Sequence, residues 1–147
     1  MKKKLLTKII SLTVMALLFL AIPRVIEYVY YTALPFDYFV NIEKQELVDI
    51  DGYVITLETN RRARHDIQAN AVKEIYRVGE TVLQIAGTKE TTFVFEKEQN
   101  DKDFVFEIIW EYPIEEPGEY YLIDNIELKL PLGITKTKTI ITNTIES

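Results

Sequence analysis

The residues best suited to chemistry are the cations of Arg61-Arg62-Ala63-Arg64-His65, an island in an otherwise acidic stretch. A guanidinium presents a planar fork of donors that matches carboxylate and phosphate oxygens, so Arg61, Arg62 and Arg64 are the candidate contacts for an anionic partner such as an acidic protein face. The same run also suits a solvated strand edge that discourages unwanted pairing. His65 is the single histidine. One imidazole cannot build a histidine-rich metal site, and Asp66 beside it would point the other way in a strand, so no triad is expected. Glu115-Glu116 and Asp101/Asp103 lie in turn-like contexts and read as solvated loops rather than a shielded acid–base pair. Five glycines supply no phosphate-cradling loop. No catalytic residue, cofactor site or metal site is expected.

One further spacing needs weighing. Asp49, Asp51, Gly52 and Glu58 fall at the third, fifth, sixth and twelfth positions of a helix-flanked calcium loop, but Leu47 replaces the first aspartate. The flanks alternate as strands do, so the ligands would not converge. A turn running into a strand is the expected structure.

Whatever these residues do, the elements that position them begin in a membrane. Leu5 to Ile22 is apolar apart from Lys8 and follows Met1-Lys2-Lys3-Lys4. About 20 apolar residues span a bilayer, so a signal-anchor helix is expected if Lys8 snorkels and the helix continues past Pro23. A cleaved signal peptide is the alternative. Cleavage after Ala21 or Ala33 would leave Phe19 or Tyr31 where a small residue is wanted, and the chain has no cysteine for a lipid-modified anchor. Lys2, Lys3, Lys4 and Lys8 precede the apolar run and only Arg24 follows closely, so the N-terminus is expected in the cytoplasm and the remainder outside. Tyr28, Tyr30, Tyr31, Phe36, Tyr38 and Phe39 crowd the next segment, either as an interfacial aromatic belt or as cover for the folded body.

Charge divides the chain the same way. Residues 1–40 carry a net +3, whereas the 12 Lys and Arg against 21 Asp and Glu of residues 41–147 leave −9. An acidic body is a poor partner for nucleic acid or anionic headgroups. Without cysteine it has no disulfide framework and no thiolate metal site, and about 100 residues suffice for one core.

After residue 39 the period becomes two. Phe39–Lys44, Leu47–Ile50, the Tyr53/Ile55/Leu57/Thr59 face, Val72–Val78, Val82–Ala86 ending at Gly87, and Phe93/Phe95 all read as strands. Phe104, Phe106, Ile108, Trp110 and Tyr112 form the clearest stripe, with Glu107 and Glu111 facing away. A polar hairpin loop is expected at residues 99–103, and further strands at Tyr120–Leu130 and Thr135–Ile145. Such spacing predicts an all-β antiparallel sandwich of roughly seven to nine strands. Two divisions are expected: a transmembrane and juxtamembrane segment, 1–34, and an extracytoplasmic β-domain, 35–147.

Glu116-Pro117-Gly118-Glu119-Tyr120-Tyr121-Leu122 resembles the corner before strand F of immunoglobulin-like domains, where an acidic residue, Gly and Tyr alternate. The resemblance implies that fold and that the Tyr120 hydroxyl ties back to nearby backbone. Leu122 stands where antibody domains place the second cysteine, and Trp110 falls on the strand before the corner rather than on strand C. It implies no activity. The function expected is a membrane-tethered, non-enzymatic module that contacts the bilayer through its helix and another protein through its body. A secreted module binding a saccharide or other surface ligand is the alternative.

Overall fold

The computed structural model describes residues 2–79, 84–97 and 103–147, and the contacts divide them into two compact units meeting at Leu34/Pro35. The first holds α1 (Lys2–Ala33), which runs without a break through Pro23. Its apolar residues lie on every side, and Leu5 to Tyr30 are solvent-exposed, so the helix has no face committed to a core. The hydroxyls of Thr7 and Thr13 fold back onto the carbonyls of Lys3 and Ile9, each at 2.9 Å, so neither hydroxyl is left without an acceptor. α1 is long and apolar enough to cross a bilayer, a property shared by anchors and signal sequences.

The second unit is predominantly strand. A single helical turn, α2 (Phe36–Phe39), precedes β1 (Val40–Ala63), β2 (Ile67–Arg77), β3 (Gln84–Phe95), β4 (Asp103–Ile114), β5 (Glu119–Lys129), β6 (Thr135–Ile141) and the short β7 (Ile145–Glu146). All the pairings are antiparallel. β1 pairs with β4 in one sheet, while the other runs in the order β3-β2-β5-β6, with β7 also on β5. Leu47, Ile50, Ile55 and Leu57 of β1 and Ile108, Trp110 and Ile114 of β4 join Ile75, Tyr120 and Leu122 from the second sheet in one hydrophobic core. Phe36 and Phe39 are buried in this unit, whereas Tyr28 and Tyr30 are exposed on α1, which divides the aromatic segment between the two units.

β1, 24 residues long, is not one straight strand. Lys44 and Glu58 pair at 3.1 Å, Thr59 Oγ1 donates to Lys44 O at 3.0 Å, and Arg64 N donates to Phe39 O at 3.0 Å. A straight strand would hold residues 44 and 59 about 50 Å apart. The element is therefore a hairpin that reverses at Asp51-Gly52, where Gly52 has φ +56°. Residues other than glycine enter that region at a cost, so Gly52→Ala is expected to lower stability by about 1–2 kcal/mol. Urea titration of the two proteins checks this, and an unchanged midpoint would remove the turn from the fold's requirements.

Two expected boundaries are corrected. β3 runs through Gly87, where the sequence suggests a stop. A Cβ there would meet the Trp110 indole at 3.5 Å, and the β2–β3 register shifts beside it, between Ile75 and Tyr76. The glycine thus lies beside a bulge and against the indole, at a distance where a Cβ would make an ordinary contact, and the strand continues through it. The final strand, expected to run to Ile145, breaks after Ile141. Thr142 Oγ1 accepts from Leu122 N at 2.9 Å, and the Asn143 side chain bonds both Leu47 N and Leu47 O. These side chains divert the backbone from its ladder. Of the hairpin loop expected at 99–103, residues 99–102 lie outside the described residues, as do Val82 and Leu83 of the strand expected at Val82–Ala86.

Candidate functional site: a cavity in the β-domain

Alternation decides which side chains meet inside the β-domain. On β2 the inward positions are Ile67, Ala69, Ala71, Lys73 and Ile75; on β5 they are Tyr120, Leu122, Asp124, Ile126 and Leu128. Lys73 of β2 and Asp124 and Ile126 of β5 line a cavity of about 460 Å³. That size is within the range of small-molecule sites, roughly 300–1,000 Å³. Its walls are mainly apolar, with Phe93 and Phe95 from β3 and Phe104 and Phe106 from β4. Phe93 and Phe95 meet edge to face with centroids 4.9 Å apart, and Phe104 and Phe106 lie tilted at 5.9 Å.

Into this apolar space the strands bring an ion pair. Lys73 and Asp124 are directly opposed in the β2–β5 ladder, and the ammonium donates to Asp124 Oδ2 with both side chains at 5% exposure or less. Gln45 Nε2 donates to the same oxygen at 2.8 Å. Asp124 Oδ1 and Thr91 Oγ1 are buried without a partner among the described residues. Burial pushes the Lys73 pKa below the ordinary lysine value, with the Asp124 charge acting against that shift.

Arg61 completes the wall. Its guanidinium lies 4.6 Å from the ring centroids of Phe95 and Phe104 and 5.4 Å from that of Phe93. Desolvation lowers its pKa to about 10, opposed by the carboxylates of Asp124 and Glu96, so it stays cationic at neutral pH. No acceptor among the described residues lies within hydrogen-bond or ion-pair distance of it, and the aromatic faces are its recorded partners.

The three candidate arginines therefore do not share one patch. Arg61 and Arg62 are successive residues of β1 and take opposite faces: Arg61 lines the cavity and Arg62 is exposed. Arg64 lies just past the strand, stacked 4.2 Å over Tyr38 with Nε donating to Tyr38 O at 2.7 Å. His65 is exposed and is not part of the cavity wall, and Asp66 Oδ1 accepts from Lys97 N at 2.9 Å. Asp49 and Asp51 are exposed at the β1 reversal, while Glu58 is committed to Lys44. Among the described residues no group of three or more His, Asp and Glu lies close enough together to hold a metal ion. Glu116 pairs with Arg77, and Asp103 is exposed.

The Lys73–Asp124 pair is a site the sequence reading passed over. Its signal was present: a lysine between Ala71 and Ile75 and an aspartate between Leu122 and Ile126, each at an inward position of an apolar face. An ionisable residue in that phase requires a partner, and each is the other's.

No protein-family model matches this chain, and no curated protein matches it significantly.

Proposed function

We propose that this protein is a membrane-tethered, non-enzymatic interaction module whose β-domain is an immunoglobulin-like sandwich held outside the cytoplasm. The observation that carries the proposal is α1, an unbroken and mainly apolar helix that opens on a lysine cluster and is followed by an acidic, disulfide-free β-unit. The charge asymmetry favours a cytoplasmic N-terminus, and the single-pass arrangement then puts residues 35–147 on the far side.

Strand order supports the immunoglobulin-like reading. With the two halves of β1 taken as strands A and B, β4 takes the place of E, while β3-β2-β5-β6 follows the order C′-C-F-G. The corner contributes as well: Tyr120 Oη donates to Glu116 O at 2.6 Å, the tie expected before strand F. The absence of a cysteine pair and the place of Trp110 on β4 depart from antibody domains.

Contact with another protein is supported by the outer face of β4, where Val105 and Ile109 are 62% and 65% exposed. Arg62 and Arg64 add surface cations near the end of β1. The non-enzymatic reading is supported by the commitments of the polar groups: Lys73 and Asp124 hold each other, and the one imidazole lies away from the cavity wall.

Fusing reporters to the C-terminus of the full chain tests the arrangement. A phosphatase that folds only outside the cytoplasm should be active, a cytosol-dependent fluorescent protein dark, and the unfused chain should stay in membranes near 17.2 kDa. Cytosolic fluorescence would overturn the orientation, and a shortened soluble product would favour the secreted alternative. Crosslinking in the native membrane then identifies the contacted protein.

A further inference from the structure

We propose that the cavity lined by Phe93, Phe95, Phe104 and Phe106 binds a small amphiphilic anion, whose apolar body fills the phenylalanine cage and whose head takes the Arg61 guanidinium. This inference does not depend on the membrane topology or on a protein partner.

Three observations converge. The space is of ligand size and its surface is largely aromatic, which favours an apolar body. Its walls hold two buried or half-buried cations, Lys73 and Arg61, against one buried anion, Asp124, whose charge is taken up by Lys73. Lys89, a third cation of the wall, donates to Ile109 O, and the carboxylates of Glu107 in the wall and Glu96 outside it are exposed, so neither carboxylate is a buried counter-ion. The guanidinium has no carboxylate in contact, the charges of Asp124 and Glu96 reaching it only through their fields. A desolvated guanidinium with only aromatic faces as partners presents its donor fork to whatever enters, and a carboxylate or similar oxyanion satisfies that fork geometrically.

The unpartnered oxygens fit the same occupant. Asp124 Oδ1 and Thr91 Oγ1 are acceptors buried in or beside the cavity wall, and leaving such atoms unpaired is costly. A hydroxyl or water accompanying the head group would satisfy them. A cationic amphiphile would instead set its charge against Arg61 and Lys73, and an uncharged one would leave the guanidinium unpaired.

The test uses the full chain in lipid nanodiscs, titrated by calorimetry with octanoate, octanol and octyltrimethylammonium, and with the heat of empty nanodiscs subtracted. Octanoate should bind saturably and at least tenfold more tightly than either of the others. Arg61→Gln should weaken octanoate at least tenfold while moving octanol less than twofold, the split that distinguishes head-group recognition from general loss of structure. If that variant fails to fold, the three-probe series on the unaltered protein decides alone. Absence of saturable octanoate binding, equal binding of octanol, preference for the ammonium, or an Arg61→Gln protein that still binds octanoate fully would each overturn the proposal.

Discussion

Replacing Asp124 by leucine should cost the β-domain about 3–5 kcal/mol, the range seen when one member of a buried ion pair is removed. Among the described residues Asp124 is the only buried carboxylate, and it also accepts from Gln45. Its loss would leave two desolvated cations facing each other across phenylalanine rings. Lys73→Met should cost less, about 1–3 kcal/mol, because Asp124 keeps Gln45 and the field of Arg61. Lys73→Met combined with Asp124→Leu should recover much of the loss, since well-packed apolar residues often replace such pairs without penalty. Urea denaturation of the full chain in detergent, followed through the buried Trp110, measures all three. If the single variants were equal and additive in the double, the pair would not be coupled.

The same series has a pH signature. Burial holds the folded-state pKa of Lys73 below its unfolded value, about 10.4. Between those two values the unfolded chain binds more protons than the folded one, so raising pH favours the fold. In the Asp124→Leu protein the counter-charge is gone and the Lys73 pKa must fall further. Its deficit against the unaltered protein should therefore shrink as pH rises from 7 toward 10. A deficit independent of pH would mean the damage is steric.

Tyr120 carries the second large effect. The ring is 1% exposed and belongs to the core, while its hydroxyl reaches back four residues to the Glu116 carbonyl. Tyr120→Ala should lose about 3–5 kcal/mol, the cost of emptying an aromatic position in a packed core. Tyr120→Phe removes only the hydrogen bond, whose carbonyl sits beside exposed residues and can take water instead, so about 1 kcal/mol is expected. The comparison of the two variants separates packing from the corner's tie. A Phe variant as damaged as the Ala variant would make the hydroxyl, not the ring, the stabilising group.

Much of this architecture was legible in the chain. The β4 stripe predicts its own burial, with Ile108 and Trp110 inside and Glu107 and Glu111 outside, although Tyr112 at its end is 72% exposed. The Tyr120 tie was implied by the resemblance of the Glu116–Leu122 segment to an immunoglobulin-like corner, and its acceptor is Glu116 O. Two kinds of information were not local. Gly87 looks like a strand terminator, whereas the ladder runs through it with a register shift beside it and the indole of Trp110, 23 residues later, packed over it. The arginine island looks like one patch because sequence proximity conceals the pleat, which sends Arg61 inward and Arg62 outward. The phenylalanines around Arg61 come from β3 and β4, and only tertiary folding assembles them.

The inward faces of β2 and β5 are otherwise monotonous: Ala69, Ala71 and Ile75 on one, Leu122, Ile126 and Leu128 on the other. A slip of two residues would keep every one of these side chains on its proper side, so hydrophobicity alone barely distinguishes the alternatives. Yet such a slip would set Lys73 against Leu122 or Ile126, and Asp124 against Ile75 or Ala71, stranding both charges in hydrocarbon. The opposed lysine and aspartate thus act as an indexing pin, rejecting misaligned ladders that the greasy residues would tolerate.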